Sequence, residues 1–189
     1  MGEVRRVARS LYLPAKNGRD PHQGANYVAR LDQREGSPRR HGRFKKRGHQ
    51  CVGKSRGGWN TKIHLVAASE RNAVIFSLSG GEAGDAPEGR KLLLRRGRVR
   101  RKTLLLMDKA YEGDETRKLA IRLGYVPVVP PKSNRKEPWK YDERAYKLRN
   151  EVERLFRRIK RFRRVFTRYD KLDIMFIAFI LLALIVDAL

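Results

Sequence analysis

An α/β fold, with a mixed sheet and flanking helices, is the architecture that this sequence of 189 residues predicts. Two adjacent strand patterns open the regular part of the chain, and strand and helix patterns then alternate. At this length we expect one domain with a substantial core. The chain is also strongly basic, with 45 Lys and Arg against 20 Asp and Glu, which indicates a polyanionic partner.

Residues 1–44 carry no sustained strand or helix period and are rich in Arg, Gly and Pro. We interpret them as a basic, irregular or disordered segment, and residues 45–189 as the folded domain. In that domain TKIHLVAAS and AVIFSLS predict two strands of a hairpin, separated by a break at Asn72. Asp85 then starts a predicted helix that runs to about Arg96.

The segment KTLLLMDKAY predicts a buried strand that ends at Asp108. A helix capped by Asp114 and ended by Gly124 follows, and YVPVVPPK predicts a short strand. One long helix is expected from about Arg144 to Arg164. The apolar run IMFIAFILLALIV, residues 174–186, is too short to span a bilayer and predicts a buried terminal helix.

The first residues, MGEVRRVARS, lack the apolar core of a secretory signal, and Cys51 is the only cysteine. A cytoplasmic protein without disulfides or a membrane partner is therefore expected. Nucleic acid is the favoured polyanion, which adds an association with the nucleoid.

Asp108 occupies a position typical of ligand-binding carboxylates, because ligands collect at the carboxyl ends of strands in open α/β sheets. From local sequence alone a turn or helix-cap role is equally compatible with this residue.

The predicted long helix carries two stripes at helical spacing. Its apolar stripe consists of Val152, Leu155, Phe156, Ile159, Phe162 and Phe166. Beside it lie Tyr146, Arg149, Glu153 and Lys160. Cationic neighbours keep a carboxylate ionised, as a metal ligand must be. A simple Arg149–Glu153 helix salt bridge is the alternative for an isolated Glu.

The run YKLRNEVERLFRRIK resembles the Y-R-E-K signature of DDE transposases in the IS-five family of bacterial insertion sequences, with Tyr146, Arg149, Glu153 and Lys160 in the signature positions. GKSRGGWNTKIH, LLLMDKAYEGDETRKLA and VPVVPPKSNR resemble other blocks of that family in the same order. The resemblance covers about residues 45–189.

This resemblance implies an RNase H-like fold in which Asp108 is the second catalytic acid and Glu153 the third. It implies Mg²⁺ or Mn²⁺ bound by both acids, and cleavage and joining of DNA at inverted-repeat ends and target sites. Tyr146, Arg149 and Lys160 would position DNA phosphates. A homo-oligomer is expected in the transposition complex.

The first acid of the family is not recognisable in this chain. The family has a segment resembling DSTSVKVHPDGTGALKK where this chain has RLDQREGSPRRHGRFKK. Codons for Arg30-Leu31-Asp32, read one base later, can encode Asp-Ser-Thr. We therefore hypothesise that residues 1–44 are translated out of the ancestral frame and that the first strand is missing or altered. The competing interpretation takes Asp32 as the first acid, although RLDQREGS carries no strand pattern.

Two other functions remain compatible with the sequence. A truncated transposase can occupy element ends as a catalytically inactive repressor of the full enzyme. A ribosomal-type RNA-binding protein explains the charge but not the pattern around Asp108 and Glu153. His64 is expected to be structural, and Trp59 and Trp139 are expected to pack at edges rather than stack on DNA bases.

Overall fold

The computed structural model describes residues 25–34 and 49–189, with the backbone alone at residues 25 and 31–34. One six-stranded sheet is flanked by helices. The strands are β1 (Ala25–Arg34), β2 (Gly53–Ser55), β3 (Gly58–Ala67), β4 (Ala73–Gly80), β5 (Thr103–Met107) and β6 (Tyr125–Val128). The helices are α1 (Asp85–Arg96), α2 (Asp114–Arg122), α3 (Glu143–Lys147), α4 (Asn150–Ile159), α5 (Arg163–Phe166) and α6 (Asp173–Ala188).

The sheet is mixed, and β1 lies in its interior. β1 pairs antiparallel with β3 on one side and parallel with β5 on the other, and β6 continues the parallel half. β3 also pairs antiparallel with β2 and β4. The predicted mixed α/β architecture and the β3–β4 hairpin are therefore confirmed.

Each face of the sheet has its own apolar core, because alternate residues of a strand point to opposite faces. On the first face Val28, Met107 and Tyr111 pack with Leu92 and Leu93 of α1. On the second face the core is formed by side chains of the sheet, α4 and α6: Tyr27, Ala29, Leu65, Leu106, Val152, Leu155, Ile159, Phe176 and Ile180. The second face is thus the one that carries Glu153's helix.

The prediction of an irregular segment over residues 1–44 is wrong for residues 25–34, which form β1. Tyr27, Val28 and Ala29 are buried there, so tertiary pairing on both sides stabilises a segment with little period of its own. The remainder of that segment lies outside the described residues.

The long helix expected from Arg144 to Arg164 is divided into α3, α4 and α5. Between α3 and α4 the backbone forms hydrogen bonds between residues three apart, as in a 3-10 helix. One example is the bond from Arg149 N–H to the Tyr146 carbonyl at 3.0 Å. After α4, Phe162 adopts an extended conformation. This break turns the following residues, and Phe166, which we expected on the apolar stripe, is 58% exposed.

The terminal helix α6 buries one face only. Phe176, Ile180 and Ala183 are buried, as is Asp173 at its start, whereas Ile174 and Leu182 are exposed. The expectation of a buried helix is correct for that one face. Within the described ranges, none of the helices is both long enough and apolar enough to cross a membrane.

Candidate active site

Asp108 follows β5 directly, as the sequence predicted. Its backbone is extended, and its N–H donates to the Val28 carbonyl of β1 at 3.3 Å, so the parallel pairing holds its position. Among the described residues, the Asp108 carboxylate takes part in no hydrogen bond or ion pair. Its side chain is half-buried, so these oxygens remain available to a ligand.

Tyr146, Arg149 and Glu153 form a continuous group of neighbours. The Arg149 guanidinium lies 5.6 Å from the centre of the Tyr146 ring and forms an ion pair of 2.8 Å with Glu153. Burial raises the pKa of Tyr146; Arg149 opposes this increase and the Asp108 carboxylate adds to it. Tyr146 therefore lies within electrostatic reach of Asp108, and it also contacts Arg149, which pairs with Glu153.

The tightened turn between α3 and α4 explains this arrangement. Side chains three residues apart eclipse each other in a 3-10 turn, so Arg149 is brought over Tyr146. Asp142 caps α3 by accepting a hydrogen bond of 2.9 Å from Ala145 N–H, which fixes the start of this helical run.

Lys160 is separated from that group. It caps the carboxyl end of α4, seven residues beyond Glu153 or about 10 Å along a helix. No contact joins it to Asp108, Tyr146, Arg149 or Glu153 in the part of the chain that the structure describes.

The residue beside Asp108 on the neighbouring strand is Ala29. Val28 pairs with Met107, so one position further along both strands Ala29 is level with Asp108. Ala29 packs in the core of the second face with α4, whereas Arg30 forms an ion pair with Asp85 of α1. A third carboxylate level with Asp108 and on the same face would therefore have to stand at position 29.

Asp32 is not level with Asp108. Its Cα pairs with Lys62 of β3, three residues beyond Ala29, which is about 10 Å along a strand. β1 extends through Asp32, so our expectation that no strand holds this residue is wrong.

The oxygen donors of Asp108 and Glu153 fit a small, hard divalent cation. Mg²⁺ is commonly bound by one or two carboxylates while it keeps several waters. The Asp108 oxygens have no competing partner among the described residues, whereas Glu153, 41% exposed, would exchange Arg149 for the ion. These two carboxylates are thus suitable ligands for one ion. A site that binds two ions uses more carboxylates than these two.

Two charged clusters near the carboxyl end of β5 were not predicted from the sequence. Asp85 forms ion pairs with Arg30 and Lys62 instead of capping α1. Glu112, 4% exposed, pairs with Arg135 at 2.6 Å. Lys62 and Arg135 are each one of several cations in a basic segment. The sequence around them therefore does not indicate that they pair with Asp85 and Glu112.

His64 and Trp139 have structural environments, as expected. His64 is fully buried, and its two ring nitrogens lie 3.0 Å from Tyr111 Oη and 2.8 Å from Ser79 Oγ. The guanidinium groups of Arg117 and Arg135 cover the Trp139 ring at 3.7 and 4.4 Å. Stacking of DNA bases on Trp139 would require both to move.

Comparison with known proteins gives a consistent picture. Residues 33–187 match the family model of the transposase DDE domain. A protein of Brucella ovis, described as a transposase for insertion sequence element IS6501, is 29% identical over 124 residues, which cover 65% of this chain and 93% of that protein.

The structure also resembles the piggyBac transposase in a synaptic complex with hairpin DNA, with a TM-score of 0.57 and 11% identity. The match covers 99% of this chain and half the length of the piggyBac chain, and at this identity it concerns the fold alone. The mixed sheet with flanking helices is therefore RNase H-like. Together with the family match over most of its length, this identifies the chain as a member of the transposase DDE domain family.

Proposed function

We propose that this chain acts in DNA transposition through metal-dependent cleavage and strand transfer at insertion-sequence ends. The observations that carry the proposal are the position of Asp108 at the carboxyl end of β5 and the contacts that join Tyr146, Arg149 and Glu153. The family match and the net charge of +25 support DNA as the substrate. Assignment to the IS-five group, and assembly as a homo-oligomer on inverted-repeat ends, remain predictions.

In this proposal Asp108 and Glu153 hold Mg²⁺ or Mn²⁺. When bound, such ions activate a water or 3′ hydroxyl and stabilise the leaving oxygen of a phosphodiester. Arg149 is released from Glu153 and binds a DNA phosphate. Tyr146 orients the Arg149 guanidinium through the contact between that group and the Tyr146 ring. Lys160 binds a phosphate further along the DNA backbone, because it lies two helical turns away.

We further propose that the chain has little strand-transfer activity by itself. Ala29 stands level with Asp108, so the site offers two carboxylates where two ions require more. The out-of-frame hypothesis for residues 1–44 remains a separate prediction, because it places the ancestral Asp at position 30, whose side chain faces α1. The shortage of carboxylates favours, as a second candidate function, a catalytically inactive protein that binds element ends and represses the complete transposase.

Metal affinity tests the site without depending on activity. Mn²⁺ binding to the full chain, measured by electron paramagnetic resonance, should weaken at least about tenfold in Asp108→Ala and in Glu153→Ala. Glu137→Ala, an exposed acid outside the site, is the matched control and should bind as the unmodified chain does. Equal Mn²⁺ affinity in all four proteins would overturn the proposed metal site.

A carboxylate added on β1 tests whether position 29 is the one that lacks a metal ligand. Ala29→Asp should raise Mn²⁺ affinity about tenfold and produce Mg²⁺-dependent nicking of element-end DNA, whereas Ala29→Asn carries the same bulk without the charge and should do neither. Arg30→Asp, on the other face, should also fail to raise the affinity or to produce nicking.

Two outcomes distinguish the enzyme from the repressor. Robust cleavage by the unmodified chain would contradict the predicted inactivity. Salt-sensitive, end-specific DNA binding that survives Glu153→Ala, without nicking, would support the repressor.

A further inference from the structure

A second group of metal-ligating side chains lies where the segment before β2 meets the start of α6. It consists of His49, Cys51 and Asp173, and none of them belongs to the candidate active site. Asp173 N–H donates to the His49 carbonyl at 3.1 Å, so two distant parts of the chain are joined at this point. His49 and Cys51 are two residues apart, and the contact between Cys51 Sγ and His49 Nδ1 shows that both side chains lie on one side of this segment.

The spacing of the three donor atoms suits a tetrahedral ion. All three lie within 4.8 Å of one another, and Cys51 Sγ is 3.6 Å from His49 Nδ1. Bonds of about 2.3 Å to sulfur and about 2.0 Å to nitrogen at a tetrahedral angle separate those atoms by about 3.5 Å. The distance from His49 Nδ1 to Asp173 Oδ2 is 2.8 Å, a hydrogen bond that would have to lengthen by about 0.5 Å.

The Asp173 carboxylate is already oriented by buried neighbours. Its Oδ1 accepts hydrogen bonds of 2.7 Å from Cys51 N–H and 2.7 Å from the Arg168 guanidinium. Arg168 is itself fully buried and donates to Thr61 Oγ1 at 2.7 Å. Oδ2 therefore faces His49. Metal-binding carboxylates are commonly oriented in this way, by hydrogen bonds from residues that do not bind the metal themselves.

We propose that His49 Nδ1, Cys51 Sγ and Asp173 Oδ2 bind a thiophilic divalent cation of the Zn²⁺ class. Thiolate and imidazole donors favour such an ion over Mg²⁺. The His49 side chain is 84% exposed, so water has access to the fourth coordination position. The bound ion links the segment that precedes β2 to the first turn of α6.

The proton balance of this step is simple. The Cys51 thiol loses one proton to solvent as the sulfur–metal bond forms, and the His49 proton moves from Nδ1 to Nε2. In the metal-free chain burial raises the pKa of Cys51 to about 12; Asp173 adds to this increase and Arg168 opposes it. The ion must displace that proton, which lowers the apparent affinity at neutral pH.

Titration of the full chain with Co²⁺ tests the site, because tetrahedral cobalt with a thiolate ligand has a near-ultraviolet charge-transfer band. We expect this band to saturate at one Co²⁺ per chain and to disappear when Zn²⁺ is added. His49→Ala changes a side chain that is 84% exposed, so we expect the fold to remain and binding to weaken at least about tenfold. Cys51→Ser should remove the band.

Asp108→Ala is the control for the other site. Its carboxylate offers only oxygen, so its removal should leave the thiolate band unchanged. Absence of the band at millimolar Co²⁺, or an unchanged midpoint in His49→Ala, would overturn the proposal. Neither outcome bears on Mn²⁺ binding by Asp108 and Glu153, so failures at the two sites are distinguishable.

Discussion

His64 illustrates how a single side chain in the sheet depends on its protonation state. It is fully buried and bonded at both ring nitrogens, and burial lowers its pKa below the ordinary value of 6.5. Asp85 and Glu88 oppose that decrease, while Lys62 and Arg30 add to it. Burial therefore favours the neutral imidazole in the folded chain, and His64 gains a proton on unfolding at pH values between its folded pKa and 6.5.

This difference predicts a pH-dependent stability. The unfolded state binds more protons, so the free energy of unfolding should fall as the pH decreases from 6.5 towards the lower folded pKa, by at most about 1.4 kcal/mol per pH unit. Urea unfolding between pH 7.5 and 5 measures it. His64→Gln should flatten the curve over this interval, and an unchanged slope in that variant would exclude His64 as the cause.

The environment of Arg149 has a consequence for DNA binding. Its guanidinium holds Glu153 and lies over Tyr146, and we propose that it transfers to a DNA phosphate. Arg149→Ala should then weaken binding across DNA sequences and reduce the slope of log affinity against log salt by about one. Arg122→Ala, an exposed cation on α2 at the other face, is the control in fluorescence-anisotropy titrations. An equal loss in both variants would assign the effect to net charge.

At the scale of elements, α1 supports the candidate site through a close approach. Gly89 of α1 lies against Tyr111, in the 3-10 turn that follows Asp108, and a Cβ on Gly89 would come within 2.5 Å of the Tyr111 ring. The glycine thus permits α1 to pack directly on that turn. An alanine in a helix normally adds stability, but here the ring would have to move.

Gly89→Ala should therefore destabilise the fold by about 1–3 kcal/mol, the usual cost of overpacking. Chemical denaturation measures this change. Leu94→Ala in the same helix, at a side chain 59% exposed, should shift stability by less than about 0.5 kcal/mol. If Gly89→Ala were as stable as the unmodified chain, the packing of Tyr111 on α1 would not restrict this position.

Strands and helices with strong local patterns were predictable from sequence, and those stabilised by distant partners were not. β5 and α1 have continuous apolar runs or a clear start signal, and both lie where predicted. β1 depends on pairing with β3 and β5, which local sequence does not reveal. The break between α3 and α4 also escaped prediction, because nothing in YKLRNEVE differs from an ordinary helix.

At the scale of the whole molecule, the candidate site is assembled across long separations in sequence. Asp108 was proposed from its position after β5 together with the family resemblance, and Glu153 from its helical stripe together with the same resemblance. Their neighbour Ala29 could not be predicted, because it lies level with Asp108 only through the interior pairing of β1. The Arg168–Asp173 pair likewise depends on the packing of α6 near β2.

The interior place of β1 also determines how short this protein can be made. A chain starting at residue 45, the boundary that sequence patterns suggested, would leave β3 and β5 each with an unpaired edge at the centre of the sheet. Exposed edges of that kind invite pairing with other chains. During synthesis, moreover, β1 must wait for β5, more than 70 residues later, before its second side is covered. Until then, a chaperone or a neighbouring chain has access to the strand that later lies beside Asp108.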